Sequence, residues 1–173
     1  MRSVEDFYKM FDLEISACGQ TKQADFIKSL KADLKPCDVV SVRDLFSEEQ
    51  VERIKQMIAI KQCYRNAFKA AEYLSTPSEP VEYVEGRVLI LDMLPIEHAW
   101  NKVGDKFFDV TFELILGYDV TKEAYAAMAE YDVDYVRGIL LEKGYWGEIY
   151  VDEKRKEFYG YKTKSGRNTF QHQ

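Results

Sequence analysis

The sequence of 173 residues is poor in cysteine, histidine, proline and glycine, with 3, 2, 4 and 9 of them, respectively. So few prolines and glycines exclude collagen-like and low-complexity chains. The cysteines are odd in number and form no C-x-x-C pair, so we expect neither a disulfide framework nor a zinc ribbon. We therefore predict that the protein uses no metal and no other cofactor.

The chain also lacks an excess of basic residues and any long apolar run. It has 24 lysines and arginines against 30 aspartates and glutamates, a net charge of −6, which argues against a nucleic-acid partner. The densest apolar stretch, Val88 to Leu94, is interrupted by Asp92 and is too short for a membrane span. The first six residues lack the apolar core of a signal peptide. We expect a single cytoplasmic globular domain without a membrane partner.

Helical patterns come first along the chain, strand patterns follow, and helical patterns return. The predicted helices cover 4–15, 24–34, 47–60, 64–74, 122–130 and 133–143, and the third opens with the capping box Ser47–Gln50. The predicted strands cover 81–84, 87–91, 98–103 and 106–111. This order indicates an α+β fold in which helices pack on a small antiparallel sheet.

The domain is expected to have three parts. Residues 1–45 form a helical N-terminal extension, residues 46–150 form the core, and residues 151–173 form a charged tail that is partly flexible.

The last two strand candidates are joined by Gly104-Asp105, which suits a two-residue type II′ turn. This turn pairs Val103 with Lys106 and sets the register of both strands. Because side chains alternate along a strand, His98 and Asp109 share one face as diagonal neighbours, about 7–8 Å apart at Cα. A carboxylate that holds one imidazole nitrogen fixes the tautomer and supports the charged form of a histidine. The alternative is a hydrogen-bonded surface histidine and a polar strand end.

Cys63 precedes the helical pattern of 64–74, and the pattern leaves open whether the chain breaks at Lys61-Gln62. At the start of a helix, free N–H groups and the positive end of the dipole favour a thiolate. A cysteine there, ahead of a histidine and an aspartate that can pair, is the arrangement of an activated thiol nucleophile. Cys18 and Cys37 are expected to be small, buried hydrophobic side chains.

Four segments resemble, in order, the core of papain-like and transglutaminase-like cysteine proteins, which also occurs in arylamine acetyltransferases and in bacterial and phage proteins. They are Gln62-Cys63-Tyr64-Arg65-Asn66-Ala67, Tyr83-Val84-Glu85-Gly86, Pro95-Ile96-Glu97-His98-Ala99-Trp100 and Phe108-Asp109-Val110-Thr111. The resemblance spans 47–111 and implies that Cys63 is the nucleophile, His98 the general base and acid, and Asp109 the residue that orients His98.

This resemblance implies acyl chemistry by a peptidase, an amidase or an acyl transferase. The substrate would be a peptide, a protein or a small amide or thioester. The alternative is a binding or regulatory module that has the same papain-like fold but no activity, because a fold does not fix a function.

Several roles near the motifs stay open. The oxyanion donor could be the backbone N–H of Cys63, or the side chain of Gln56 or Gln62. Asn66 lies on the same helix face as Cys63 and either polarises the site or packs beside it. The aromatic side chains near the motifs are expected to pack in the core rather than to line an acyl-binding cleft. They are Tyr64, Tyr83, Trp100 and Phe107.

Overall fold

The computed structural model describes residues 4–90 and 95–160. The helices and strands along the chain are α1 (Val4–Cys18), α2 (Lys22–Asp33), β1 (Lys35–Cys37), α3 (Val42–Leu45), α4 (Glu48–Met57), α5 (Cys63–Leu74), β2 (Val81–Leu89), β3 (Ile96–Val103), β4 (Lys106–Phe108), a π-helix (Thr111–Ile115), a 3-10 helix (Val120–Lys122), β5 (Ala124–Tyr131), α6 (Val133–Lys143) and α7 (Tyr150–Tyr159). Helices thus pack on one antiparallel sheet, and the predicted α+β class is confirmed.

Local signals place several helix ends where the sequence predicts them. The capping box is present, because Gln50 N–H donates to Ser47 Oγ and Ser47 N–H donates to Gln50 Oε1, at 3.3 and 3.0 Å. Helix α6 ends at Gly144, which adopts a left-handed conformation with φ +74°. The chain does break before Cys63, since α4 ends at Met57 and α5 begins at Cys63.

The sheet is strongly curled, with strand order β1-β5-β2-β3-β4 and antiparallel pairing throughout. Two residues after β1, Val39 forms a parallel bridge with Phe107 of β4, and Val40 N–H donates to the Phe107 carbonyl at 2.9 Å. The two edges of the sheet are thereby joined, although β1 and β4 are far apart in the sequence.

The curled sheet encloses one hydrophobic cluster and carries the helices on its outside. The enclosed cluster consists of Val39, Val84, Val88, Ile90, Trp100, Phe112, Val120, Tyr125 and Ala127. Outside, α1, α2 and α7 pack over one part of the sheet, α4 and α5 over another, and α6 next to α5. None of the helices within the described residues is long and apolar enough to cross a membrane.

The hairpin register predicted from Gly104-Asp105 is confirmed. Val103 pairs with Lys106, and Asn101 pairs with Phe108. Strand β4 is shorter than predicted and ends at Phe108, because the next residues bend into the π-helix. The two predicted strand pieces around Gly86 form the single strand β2, with an irregularity between Glu85 and Gly86.

The predicted helix over 122–130 is wrong, because Ala124–Tyr131 forms β5 between β1 and β2. Alanine is the strongest helix former, so this alanine-rich segment has a helical propensity that tertiary packing overrides. Small side chains are needed there, since the outward Ala124 and Ala126 lie under α1 and α2.

The predicted extension and tail both contribute to the packed structure. Residues 35–37 of the extension form β1, an edge strand of the sheet. Residues 150–159 form α7, whose Val151 is buried against the sheet. The rest of the predicted tail, after residue 160, lies outside the described residues.

Candidate active site

The carboxylate of Asp109 is completely buried and accepts four hydrogen bonds. Its Oδ1 accepts from the backbone N–H groups of Thr111 and Phe112, at 2.9 and 3.1 Å. Its Oδ2 accepts from His98 Nε2 at 2.6 Å and from the Tyr125 hydroxyl at 2.9 Å. The two backbone bonds cap the turn that ends β4, so the same contacts that bend the chain also fix the carboxylate.

His98 lies inside the curled sheet and is 2% exposed. Its ring stacks on Phe112 with centroids 4.0 Å apart and planes at 9°, and Trp100 lies next to it at 6.1 Å. Across the sheet it pairs with Gly86. Because Asp109 holds Nε2, Nδ1 is the nitrogen that remains for another partner.

The buried imidazole is held in its charged form. Burial by itself would lower the pKa of His98, but the charge and hydrogen bond of Asp109 and the contact with Cys63 outweigh it and raise this pKa to about 9. At neutral pH His98 is therefore an imidazolium, with a carboxylate on one side and a thiol on the other.

Cys63 is the first residue of α5 and is half-buried. Its thiol lies close enough to the His98 imidazole to raise the pKa of that ring. No side chain caps the N-terminus of α5, so the N–H groups of its first turn are available beside the thiol. Among the described residues that are not glycine, Lys61, two positions earlier, alone has a positive φ, at 60°. Backbone strain of this kind is found at functional sites.

The side chain of Asn66 fastens the loop before Cys63 to the segment that carries Asp109. Its Oδ1 accepts from Ala59 N–H at 3.0 Å, and its Nδ2 donates to the Ala59 carbonyl at 2.7 Å and to Thr111 Oγ1 at 3.1 Å. Since the Thr111 N–H binds Asp109, one hydrogen-bonded chain joins both sides of the site. Of the two roles considered for Asn66, these contacts favour packing beside the site, where its hydrogen bonds hold the loop in place.

The three candidate oxyanion donors differ in position. Gln56 and Gln62 are exposed, and the Gln62 side chain accepts from Arg65 Nη1 at 2.9 Å. The backbone N–H of Cys63 belongs to the uncapped first turn, next to its own sulfur. Its position makes it the best placed of the three.

The four aromatic side chains considered for a cleft differ in burial. Tyr83 and Trp100 are buried in the core, while Tyr64 and Phe107 are half-buried. Burial first, and then the charges of Glu148 and Cys63, raise the pKa of the Tyr64 phenol. Tyr64 packs against the cluster that contains Tyr83, and Phe107 packs against the enclosed cluster, so these contacts favour core packing for both.

Sequence reasoning missed a second buried carboxylate, Glu85. It accepts from the Tyr83 hydroxyl at 3.0 Å and from the N–H groups of Ile149 and Tyr150, which open α7. Burial raises the pKa of Glu85 to about 7, although these backbone bonds oppose the rise. Glu85 anchors α7 to the sheet, and only the fold brings residues so far apart in sequence together.

Tyr125 was also missed, because it lies in the segment predicted as a helix. In β5 its side chain points into the curled sheet and reaches Asp109. Glu97, by contrast, points away from His98 as the alternation of β3 predicts, and its carboxylate lies 3.5 Å from Arg87.

A cavity of about 530 Å³ lies on the outer side of the sheet, between α1, α2 and α7, and Arg87 and Glu97 form part of its wall. Cys63, His98 and Asp109 do not line it. In the described part of the chain, no three His, Cys, Asp or Glu side chains are grouped so that they could hold a metal ion.

Comparison of the chain with family models, curated proteins and solved structures finds no match. The assignment of a function therefore depends on the chemistry of the site itself.

Proposed function

We propose that the protein is a cysteine-nucleophile enzyme of acyl chemistry, a peptidase, an amidase or an acyl transferase, built on a papain-like or transglutaminase-like core. The observation that carries the proposal is His98, a buried imidazolium that is hydrogen-bonded to the carboxylate of Asp109 and has the thiol of Cys63 beside it. An imidazolium beside a thiol stabilises the thiolate, which is the reactive form of cysteine.

In the proposed reaction, the Cys63 thiolate attacks a carbonyl carbon and forms a C–S bond, while the carbonyl electron pair moves to oxygen. The backbone N–H of Cys63 and the positive end of α5 stabilise this oxyanion. As the oxyanion collapses, the bond to the leaving group breaks, and the leaving group takes the proton of His98. A thioester on Cys63 and a neutral imidazole result.

The second half of the reaction releases the acyl group. His98 takes a proton from water or from an amine, which attacks the thioester and forms an acid or an amide. The C–S bond breaks, and the thiolate and imidazolium return. Asp109 keeps its charge throughout and holds His98 Nε2, so that the other nitrogen faces the sulfur.

The arrangement of the elements also supports the proposed core. A cysteine opens a helix, a histidine lies on a strand, and an aspartate follows the next strand of the same antiparallel sheet. The strained backbone before Cys63 and the uncapped helix end lie where a nucleophile would need them.

Activated acyl donors test the proposal without knowledge of the natural substrate. We would incubate the protein with p-nitrophenyl acetate and with S-phenyl thioacetate, and locate acetyl groups by mass spectrometry of proteolytic peptides. We expect rapid acetylation of Cys63, and slow acetylation of the same residue in His98→Ala. A Cys18→Ser/Cys37→Ser variant should react like the parent protein.

Two results would overturn the proposal. One is a folded protein in which Cys63 is not acetylated at all. The other is acetylation of Cys18 at the same rate as Cys63. Either would favour the binding-module alternative, in which the three side chains serve only the structure.

A further inference from the structure

Tyr125 presents a second hydrogen-bond donor to the oxygen that holds His98. The side chain is 1% exposed, packs edge to face on Trp100 with centroids 5.3 Å apart, and reaches Asp109 from β5. Its hydroxyl lies 2.9 Å from Asp109 Oδ2, and His98 Nε2 lies 2.6 Å from the same atom. The two donors therefore share the lone pairs of one oxygen.

Asp109 does not need Tyr125 to keep its orientation. Its other oxygen already accepts from two backbone N–H groups. The tyrosine hydroxyl can therefore act mainly on the charge of Oδ2. A hydrogen bond to a carboxylate stabilises the negative charge and makes the oxygen a weaker partner for any further proton.

The Tyr125 hydroxyl remains a donor at all relevant pH values. Burial, and then the charge of Asp109, raise the pKa of this phenol well above its ordinary value. The other ionisable groups facing Tyr125 are Glu123 and Cys37, and burial raises the pKa of the Cys37 thiol to about 12. The ionisable groups facing His98 are Asp109 and Cys63.

We propose that Tyr125 is a positioning residue that competes with His98 for Asp109 Oδ2 and thereby keeps the imidazolium proton transferable to the leaving group. The proposal rests on the proposed function, since the proton matters only if an acyl transfer uses it. Without the hydroxyl, Asp109 would stabilise the imidazolium more strongly through Nε2. The proton on Nδ1 would then be held more tightly, and its transfer to the leaving group would be slower.

The test measures the proton affinity of His98 directly. In Tyr125→Phe the ring and its packing are kept, and only the hydroxyl is lost. The titration of His98 is followed by NMR in a Cys63→Ser background, so that no neighbouring thiol titrates. The chain has only one other histidine, His172, which serves as a reference in the same sample.

We expect Tyr125→Phe to raise the proton affinity of His98 by roughly three- to tenfold and to leave that of His172 unchanged. Tyr131→Phe, in the same strand, is the matched control and should change neither. If Tyr125→Phe does not fold, site-specific 3-fluorotyrosine at 125, a stronger donor of nearly the same shape, should lower the proton affinity of His98 instead.

An unchanged or lower proton affinity of His98 in Tyr125→Phe would overturn the proposal and leave Tyr125 a packing residue. An unchanged or higher value with 3-fluorotyrosine would do the same. Failure of the proposed function gives a different result, since it is read from acetylation of Cys63 and not from this titration.

Discussion

Replacement of Asp109 by asparagine should change how stability depends on pH. In Asp109→Asn the amide oxygen can still accept from Thr111 and Phe112, while the NH₂ group takes the place of Oδ2. That group is a donor, so His98 Nε2 must accept from it and cannot carry a proton there. The variant keeps the shape of the site and loses the charge that holds the imidazolium.

The size of the effect comes from the pKa of His98, which the fold raises from 6.5 to about 9. Each pKa unit corresponds to about 1.4 kcal/mol, so the raised pKa contributes about 3 kcal/mol to the free energy of unfolding. For a group with a raised pKa, this contribution is complete below pH 6.5 and is lost as pH rises through 9. The variant lacks it at every pH.

Urea unfolding at pH 6, 7.5, 9 and 10 measures the difference. The parent protein should have a higher free energy of unfolding than Asp109→Asn, and we expect this difference to be about 3 kcal/mol larger at pH 6 than at pH 10. Asp105→Asn is the matched control, because this carboxylate lies in the exposed hairpin turn, and its effect should be small at every pH. An equal difference in the free energy of unfolding between the parent protein and Asp109→Asn at pH 6 and at pH 10 would show that Asp109 does not hold His98 in its charged form.

Three further predictions concern the frame of the site. Asn66→Ala should lower the free energy of unfolding, measured with urea, by about 2–4 kcal/mol, because it leaves the peptide groups of Ala59 without their partner. An unchanged free energy of unfolding would contradict the assigned contacts. Gly86→Ala should prevent stable folding, since the new Cβ would collide with the backbone oxygen of Ala126 in β5; a normal melting curve for this variant would show that the strands can separate. Gly138→Ala, whose new Cβ would have nothing within 4 Å, should instead stabilise α6 by about 0.5–1 kcal/mol. Cys63→Ser should melt almost like the parent protein and lose acetylation. Trp100→Ala, which removes a large buried ring, should lower the free energy of unfolding by about 3–5 kcal/mol. Equal destabilisation by these two substitutions would show that the cysteine is a packing residue.

The features that the sequence predicts well depend on neighbouring residues. The hairpin register follows from one two-residue turn, and with it follows the contact between His98 and Asp109. The capping box is likewise a signal within four residues. Cys63 could be placed at the start of α5 because the apolar stripe of a helix, from Ala67 to Leu74, follows it.

The features that could not be predicted depend on distant contacts. The segment of β5 has the composition of a helix, and only its pairing with β1 and β2 makes it a strand. The contact between Tyr125 and Asp109 could not be predicted for the same reason, because a helix over 122–130 would not place this tyrosine beside Asp109. Asn66 binds Thr111, which is 45 residues away in the sequence, and Glu85 binds Ile149, which is 64 residues away. No local sequence pattern can predict contacts over such separations.

The most direct test of the central claim is the rate at which iodoacetamide alkylates each of the three cysteines near neutral pH. We predict that Cys63 reacts fastest and that Cys37 is nearly inert, because burial raises the pKa of its thiol to about 12. The substitution His98→Ala should slow the alkylation of Cys63 and leave that of Cys18 unchanged. The contradicting result is a Cys63 that reacts no faster than Cys18 in the folded protein, or at the same rate with and without His98.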